Sequence, residues 1–216
     1  MFSSNKGERI INIKQKFLNK VYNPKTSNET KELYKLWAKT YDEELVENKY
    51  LTPKRCAQAL NQFADNKNKN VLDVGCGTGL SGRALLDEGF KNIDGTDFSE
   101  EMLNIASQKK IYKNLFLDDL NKSFSIKHSF YDYIVAAGII SPNHAREKTI
   151  DFLLKTLKTN GLFVFSLNDH ALKEKAFAKK IVTIKNSNNF EVLQDYYGDH
   201  LKKINLKSRI FVIKKY

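Results

Sequence analysis

Apolar side chains at Leu33, Leu36, Trp37, Tyr41 and Leu45 recur at helical spacing, which predicts one helix with a single apolar stripe from Glu29 to Asn48. Thr52-Pro53 predicts the next helix start, with Thr52 as N-cap and proline in the first turn, and that helix carries Cys56, Ala59, Leu60 and Phe63. The polar run DNKNKN at 65–70 marks a turn, and beyond it strands and helices alternate. VLDV (71–74) reads as a buried strand, followed by a Gly-rich turn and a helix through Leu80, Leu85 and Leu86. A strand from Asn92 to Thr96 precedes a helix from Ser99 to about Lys109, and LFL (115–117) and YDYIVAA (131–137) are further strands. A helix from Ala145 to Lys158 is expected to close on Asn160-Gly161, before the apolar strand LFVFSL (162–167) and a helix through Leu172, Phe177 and Ile181. FEVLQDYYG and SRIFVIKK end the chain as two strands with no helix between them, so the last is expected to run antiparallel. The pattern predicts an α/β domain with a mostly parallel, doubly covered sheet. It divides into an arm (1–28), an N-terminal helical cap (29–66) and a core (67–216).

The formal charge of +11 sharpens this only a little. Residues 1–70 carry +6, residues 71–160 carry −1 and residues 161–216 carry +6, so the basicity sits at the two ends. It comes from lysine (31 of 36 basic residues), whereas arginine interleaved with aromatics is the sharper sign of nucleic-acid binding. Two cysteines, Cys56 and Cys76, exclude a disulfide framework, and no metal-ligand set is visible. No apolar stretch approaches a membrane span, and MFSSNKGERI has no secretory-signal pattern, so a soluble cytoplasmic domain is expected.

The chemistry concentrates in VLDVGCGTGLSGRAL (71–85), where Asp73 precedes Gly75, Gly77 and Gly79. Alternating glycines after a buried strand let backbone approach a ligand where a Cβ would collide, at the end of the sheet where nucleotides bind. The spacing is G-x-G-x-G, not the dinucleotide G-x-G-x-x-G, and an acid just upstream suits a ligand carrying positive charge. Asp97 ends the second strand, where a carboxylate pairs with ribose hydroxyls. Phe98 follows as a cover for an adenine face, and Ser99 caps a helix with Glu100 and Glu101 in its first turn. Asp118 and Asp119 end the third strand, one of them expected to face solvent. Ala136, Ala137 and Gly138 leave room at the end of the fourth strand, and His144 lies beyond as a base or substrate contact. Trp37 and Tyr41 fit either core or site, Cys76 contributes backbone, and His128, His170 and His200 read as surface residues.

DVGCGTG, Asp97, the Asp119-Leu120 step and the YDYIVAAG strand resemble class I S-adenosylmethionine-dependent methyltransferases, over roughly residues 30–216. LWAKTYDEEL, GLSGRALLDEGF and IDGTDFSEEML look like the branch that includes the Williams–Beuren-region methyltransferase-like protein. The resemblance implies a Rossmann-like seven-stranded sheet in the order 3-2-1-4-5-7-6 with strand seven antiparallel. It implies S-adenosylmethionine as cofactor and S-adenosylhomocysteine as product. Asp73 and Gly75, Cys76, Gly77, Thr78 and Gly79 would hold the methionine end. Asp97 would hold the ribose, Phe98, Asp119 and Leu120 would frame the adenine, Tyr41 would close over the cofactor, and Ser99 and Ala136 are further cofactor-binding candidates. SPNHA after the fourth strand lacks the Asn-Pro-Pro-Tyr-type motif associated with amide or base nitrogens.

The expected activity is methyl transfer by alignment, with no mandatory catalytic residue and His144 as an optional base. A small-molecule acceptor is favoured, and the chain is expected to be a monomer or homodimer without a membrane partner. RNA or protein methylation through the Lys-rich ends is the alternative, and a non-catalytic cofactor-binding scaffold is the third reading.

Overall fold

A computed structural model describes residues 17–21, 26–120, 126, 129–142 and 144–216. Most of the arm and His128 lie outside the described residues. Seven strands form one sheet: β1 (Asn70–Val74), β2 (Asn92–Asp97), β3 (Leu115–Leu117), β4 (Tyr131–Ala136), β5 (Leu157–Asn168), β6 (Phe190–Leu201) and β7 (Leu206–Lys215). Their order is β3-β2-β1-β4-β5-β7-β6. The strands from β3 to β5 pair in parallel, and β7 runs antiparallel to both β5 and β6. The strand order reverses between β1 and β4, which opens a crevice at their carboxyl ends.

Apolar side chains on both faces explain why these strands lie in the middle. Leu72, Val74, Ile134, Phe163, Phe165, Phe211 and Ile213 face one way and pack under α6 (Glu147–Thr156), α7 (Asp169–Lys173) and α8 (Lys175–Lys185). The rings of Phe163, Phe165 and Phe211 stack at 4.8 and 5.1 Å. Val71, Ile93, Tyr133, Val135, Val164 and Val212 face the other way, against α3 (Thr52–Phe63) and α4 (Leu80–Asp87). The period of two along each strand thus builds two cores. The helix α5 (Glu100–Gln108) follows β2, with Ser99 Oγ accepting from Met102 N at 3.3 Å as its N-cap. Among the described residues no helix is long and apolar enough to cross a membrane.

The apolar stripe from Leu33 to Leu45 belongs to two helices, not one: α1 (Ser27–Trp37) and α2 (Tyr41–Glu47). Thr40 donates its N–H to Trp37 O at 2.9 Å and starts α2, whose first turn holds Asp42, Glu43 and Glu44 as the helix dipole favours. α3 begins at Thr52 itself, the residue expected as its cap, and Leu51 takes the N-cap position one residue earlier. Asn160-Gly161 does not close α6; it lies within β5, where the register jumps from Tyr131–Leu157 to Tyr133–Leu162. Asn160 there takes φ +60°, which asparagine tolerates, so a helix-stop signal serves as a strand irregularity. The helix expected around Leu172–Ile181 is split into α7 and α8. His200 is buried, with Nδ1 2.6 Å from Thr52 Oγ1, and is not a surface residue.

Candidate functional site

A cleft of about 810 Å³, counting the part open to solvent, lies at the carboxyl ends of β1 to β4 beneath α1 and α2. Its floor comes from Gly75 and Gly77 after β1, Thr96, Asp97 and Phe98 at the end of β2, Asp118, Asp119 and Leu120 after β3, and Ala137, Gly138 and Ile139 after β4. The roof comes from Thr30, Lys31, Tyr34, Tyr41 and Tyr50, with His144 and Ala145 at the side. The strands end together, so residues as far apart along the chain as Gly75 and Ile139 become neighbours.

The glycine loop is folded by its own amides. Cys76 N donates to Thr96 O at 2.9 Å, Gly77 N to Asp97 Oδ2 at 2.9 Å and Gly79 N to Cys76 O at 2.8 Å. These donors are therefore engaged, unlike the open amides that cradle a pyrophosphate. Gly75 (φ +64°) backs onto Ile139, so a Cβ there collides with that side chain. Gly77 (φ +54°) meets nothing within 4 Å of an added Cβ, so its missing side chain leaves room on the cleft wall. Thr96 Oγ1, also on the wall, is buried without a hydrogen-bond partner.

Asp97 accepts from Gly77 N and Ser99 N, one bond at 2.9 Å on each oxygen, and burial raises its pKa to about 6. A carboxylate has capacity for further donors after one bond to each oxygen. Lys31 stands 3.3 Å from Asp119, and its ammonium lies 6.0 Å from the Phe98 ring centroid. Among the described residues, three carboxylates against one lysine make the wall suited to a ligand rich in donors and carrying positive charge.

Asp73 is not on the cleft wall. Its Oδ2 accepts from Ser81 Oγ at 2.6 Å and Tyr112 Oη at 2.7 Å, while Oδ1 is buried without a partner, and burial raises its pKa to about 7. The carboxylate ties the end of β1 to α4. Tyr112 also accepts from Gly82 N at 3.2 Å, and its hydroxyl occupies the space a Cβ at Gly82 would need. Cys76, Thr78, Gly79, Ser99 and Ala136 likewise lie off the wall: Ser99 caps α5, Ala136 faces the β-sheet core, and burial raises the Cys76 thiol. Thr78 donates to Asp42 Oδ1 at 2.5 Å, and Asp42 Oδ2 receives Lys109 Nζ at 2.5 Å, so the loop is fastened to α2. Tyr41, Gly75, Gly77, Asp97, Phe98, Asp119, Leu120 and His144 are brought together.

The roof holds what sequence reasoning missed. Tyr34 Oη lies 3.0 Å from His144 Nε2, and Ser141 Oγ lies 2.7 Å from His144 Nδ1. Tyr34 also meets Phe98 edge to face at 5.6 Å. Burial lowers the His144 pKa to about 4, so the ring is neutral at neutral pH. Tyr50 packs over Gly138, where any Cβ would strike its hydroxyl. Tyr34 lies three residues before Trp37 on the same stripe, a local signal; nothing local points to Tyr50.

A family model described as a methyltransferase domain matches residues 48–205. An 18S rRNA (guanine-N(7))-methyltransferase of Arabidopsis thaliana is 28% identical over 101 residues, 47% of this chain and 35% of that protein. Methyltransferase-like protein 27 of Homo sapiens is 30% identical over 111 residues, 50% of this chain and 45% of that one. The chain thus spans less than half the length of these two relatives. Among solved structures, a TehB-like SAM-dependent methyltransferase of Corynebacterium glutamicum superposes with a TM-score of 0.59 at 17% identity, over 82% of this chain and 96% of that one.

Proposed function

The chain belongs to the methyltransferase domain family, and from that premise we propose that it transfers a methyl group from S-adenosylmethionine to a small-molecule acceptor. The observation that carries the cofactor is the floor of the cleft: Asp97 at the tip of β2 beside Gly77, whose absent Cβ leaves the space open. The fit is chemical. Asp97 and the buried, unpartnered Thr96 Oγ1 suit ribose hydroxyls, and Phe98 and Leu120 offer apolar surface beside the Asp118–Asp119 acceptors for an adenine. Asp73, anchored to Ser81 and Tyr112, supports the loop from behind.

When bound, S-adenosylmethionine supplies a methyl group on a sulfonium, an electrophile already activated. The protein's task is then alignment and exclusion of water. Tyr34, Tyr41 and Tyr50 roof the cleft, and neutral His144 adds no positive charge that would repel a sulfonium. With Tyr34 donating to Nε2, Nδ1–H donates to Ser141; in the other tautomer Nε2–H donates to Tyr34 and Ser141 donates to Nδ1. Either way the ring is held in place, and the Tyr34–His144 pair can take a proton from an acceptor that arrives protonated.

Calorimetric titration with S-adenosylhomocysteine tests this reading. One-site binding by the wild type, lost in Asp97→Ala, is expected; a folded wild type that binds none would overturn it.

RNA is the second reading, favoured by cation–ring pairs at the sheet edge. The Arg55 guanidinium of α3 lies 5.5 Å from the exposed Tyr196 ring of β6 on one face of the sheet, and Arg209 and Lys207 of β7 lie 5.5 and 5.7 Å from Tyr197 on the other. Exposed aromatic rings beside cations are surfaces on which single-stranded RNA can stack. Low-micromolar RNA binding that falls steeply with salt and is lost in Tyr196→Ala would promote it.

A further inference from the structure

A second cavity, of about 420 Å³ including its open part, adjoins the first. Tyr34, Tyr41, Tyr50, Gly138 and His144 belong to the walls of both, so these residues partition one space into two compartments. Its far side is made by Trp37 and Leu45 of the cap, Leu18 and Val21 before α1, and Asn168, His200 and Leu201 from the far half of the sheet.

In a chain of which 28% is charged, this wall contains no Lys, Arg, Asp or Glu among the described residues. Its two histidines are both neutral at neutral pH, since burial lowers each to a pKa of about 4. Glu44, the nearest buried acid of the cap, is turned to accept from Phe17 N at 3.1 Å and Leu18 N at 3.0 Å, which holds that segment in place. A charged guest would therefore be buried without a counter-charge, at a large cost. Trp37, Tyr34, Tyr41 and Tyr50 supply four aromatic rings, with Trp37 and Tyr41 edge to face at 4.7 Å. Trp37, which lines this cavity, has its Nε1 buried with no hydrogen-bond partner among the described residues. An orphaned buried donor is costly, and an acceptor atom brought by a guest would relieve it.

We propose that the second cavity seats the methyl acceptor, and that the acceptor is an uncharged aromatic small molecule that accepts a hydrogen bond from Trp37 Nε1. This rests on the methyltransferase reading of the first cavity and names the substrate class it serves. For a phenolic acceptor, the oxygen lone pair forms the bond to the methyl carbon as the carbon–sulfur pair leaves with sulfur. The phenolic proton passes to the Tyr34–His144 pair.

The test uses the full chain and two matched probe pairs: 4-hydroxybenzamide with 4-hydroxybenzoate, and quinoline-4-carboxamide with its carboxylate. Trp37 is the chain's one tryptophan, so its emission reports occupancy directly. At least one amide is expected to bind with and without S-adenosylhomocysteine, and to shift Trp37 emission. Its carboxylate partner is expected to bind about a hundredfold more weakly. By calorimetry, Trp37→Phe should weaken the amide about tenfold, the loss of one buried hydrogen bond, and leave S-adenosylhomocysteine binding unchanged. Binding of S-adenosylhomocysteine but of neither amide would overturn the proposal and spare the methyltransferase reading. Carboxylates that bind as well as amides, or amides that compete with S-adenosylhomocysteine, would also overturn it. A folded protein that binds no S-adenosylhomocysteine would bring down both.

Discussion

The two cavities share Tyr34 and His144, yet the floor of the first and the far wall of the second are built by opposite means. The floor is backbone and charge: glycine-loop amides, strand ends and three carboxylates, all drawn from residues 75–139. The far wall, among the described residues, is side-chain surface without formal charge, drawn from residues between Leu18 and Leu201. A floor of this kind recognises what a ligand can donate, and it tolerates little change because its shape is backbone. A wall of rings recognises shape and the absence of charge, so it can be recut by substitution while the sheet stays intact.

The sharpest way to separate the two is Asp97→Ala. Loss of both backbone anchors and of the acceptor on the floor is expected to weaken S-adenosylhomocysteine at least about a hundredfold. Amide binding at Trp37 should persist, and parallel loss of both in a folded variant would show that the compartments are not independent. The two neighbouring glycines divide similarly. Gly75→Ala forces a Cβ at φ +64° against Ile139 and should cost about 2–3 kcal/mol of stability, read by chemical denaturation. Gly77→Ala meets no protein atom and should cost only about 1 kcal/mol for its positive φ, while blocking the cofactor.

The same contrast explains what could be read in advance. The strand order and antiparallel β7 followed from local periodicity and one resemblance, and the floor residues Gly75, Gly77, Asp97, Phe98, Asp119 and Leu120 lie in contiguous motifs. Asp73 was legible as a special acid but not in its direction, because Tyr112, which draws it toward α4, lies 39 residues on. Ala136 and Gly138 sit two residues apart on one strand end, and only the end of the pleat decides that Gly138 lines the cleft while Ala136 faces the core. The second cavity had no sequence signature. His200 looked polar in its local context, and it is buried because Tyr50 pairs with Leu201 and Thr52 meets its ring.

Asp73 offers a pH test of the floor. Its pKa, raised by burial from the usual carboxylate value to about 7, means the folded state holds a proton that the unfolded state releases near pH 4. Its contribution to stability is therefore complete below about pH 4 and is lost as pH rises through 7. His144 and His200 act in the opposite sense. Neutral in the fold to about pH 4, they cost stability as pH falls below the ordinary histidine value. Asp73→Asn should remove only the first effect. Relative to wild type it should gain on the order of 2 kcal/mol between about pH 5 and pH 7, by urea denaturation at each pH. A constant difference across that window would mean the carboxylate is ionised in the fold.

The smallest expected effect bears most directly on how floor and wall communicate. Asp42 opens α2 next to Tyr41, and its two oxygens take Thr78 from the glycine loop and Lys109 from the end of α5. The ion pair is partly exposed, at 36% for Asp42 and 27% for Lys109, so solvent and salt screen it. Asp42→Asn should therefore cost less than about 1 kcal/mol of global stability. Locally the expectation differs, because α2 carries Tyr41 and Leu45 into the second cavity while Thr78 belongs to the loop of the first. If this contact transmits occupancy, S-adenosylhomocysteine should slow hydrogen exchange of the α2 amides in wild type and much less in Asp42→Asn. Equal slowing in both would assign the position of the cap to the packing of Trp37 and Tyr41 alone. The wall would then be indifferent to whether the floor is filled.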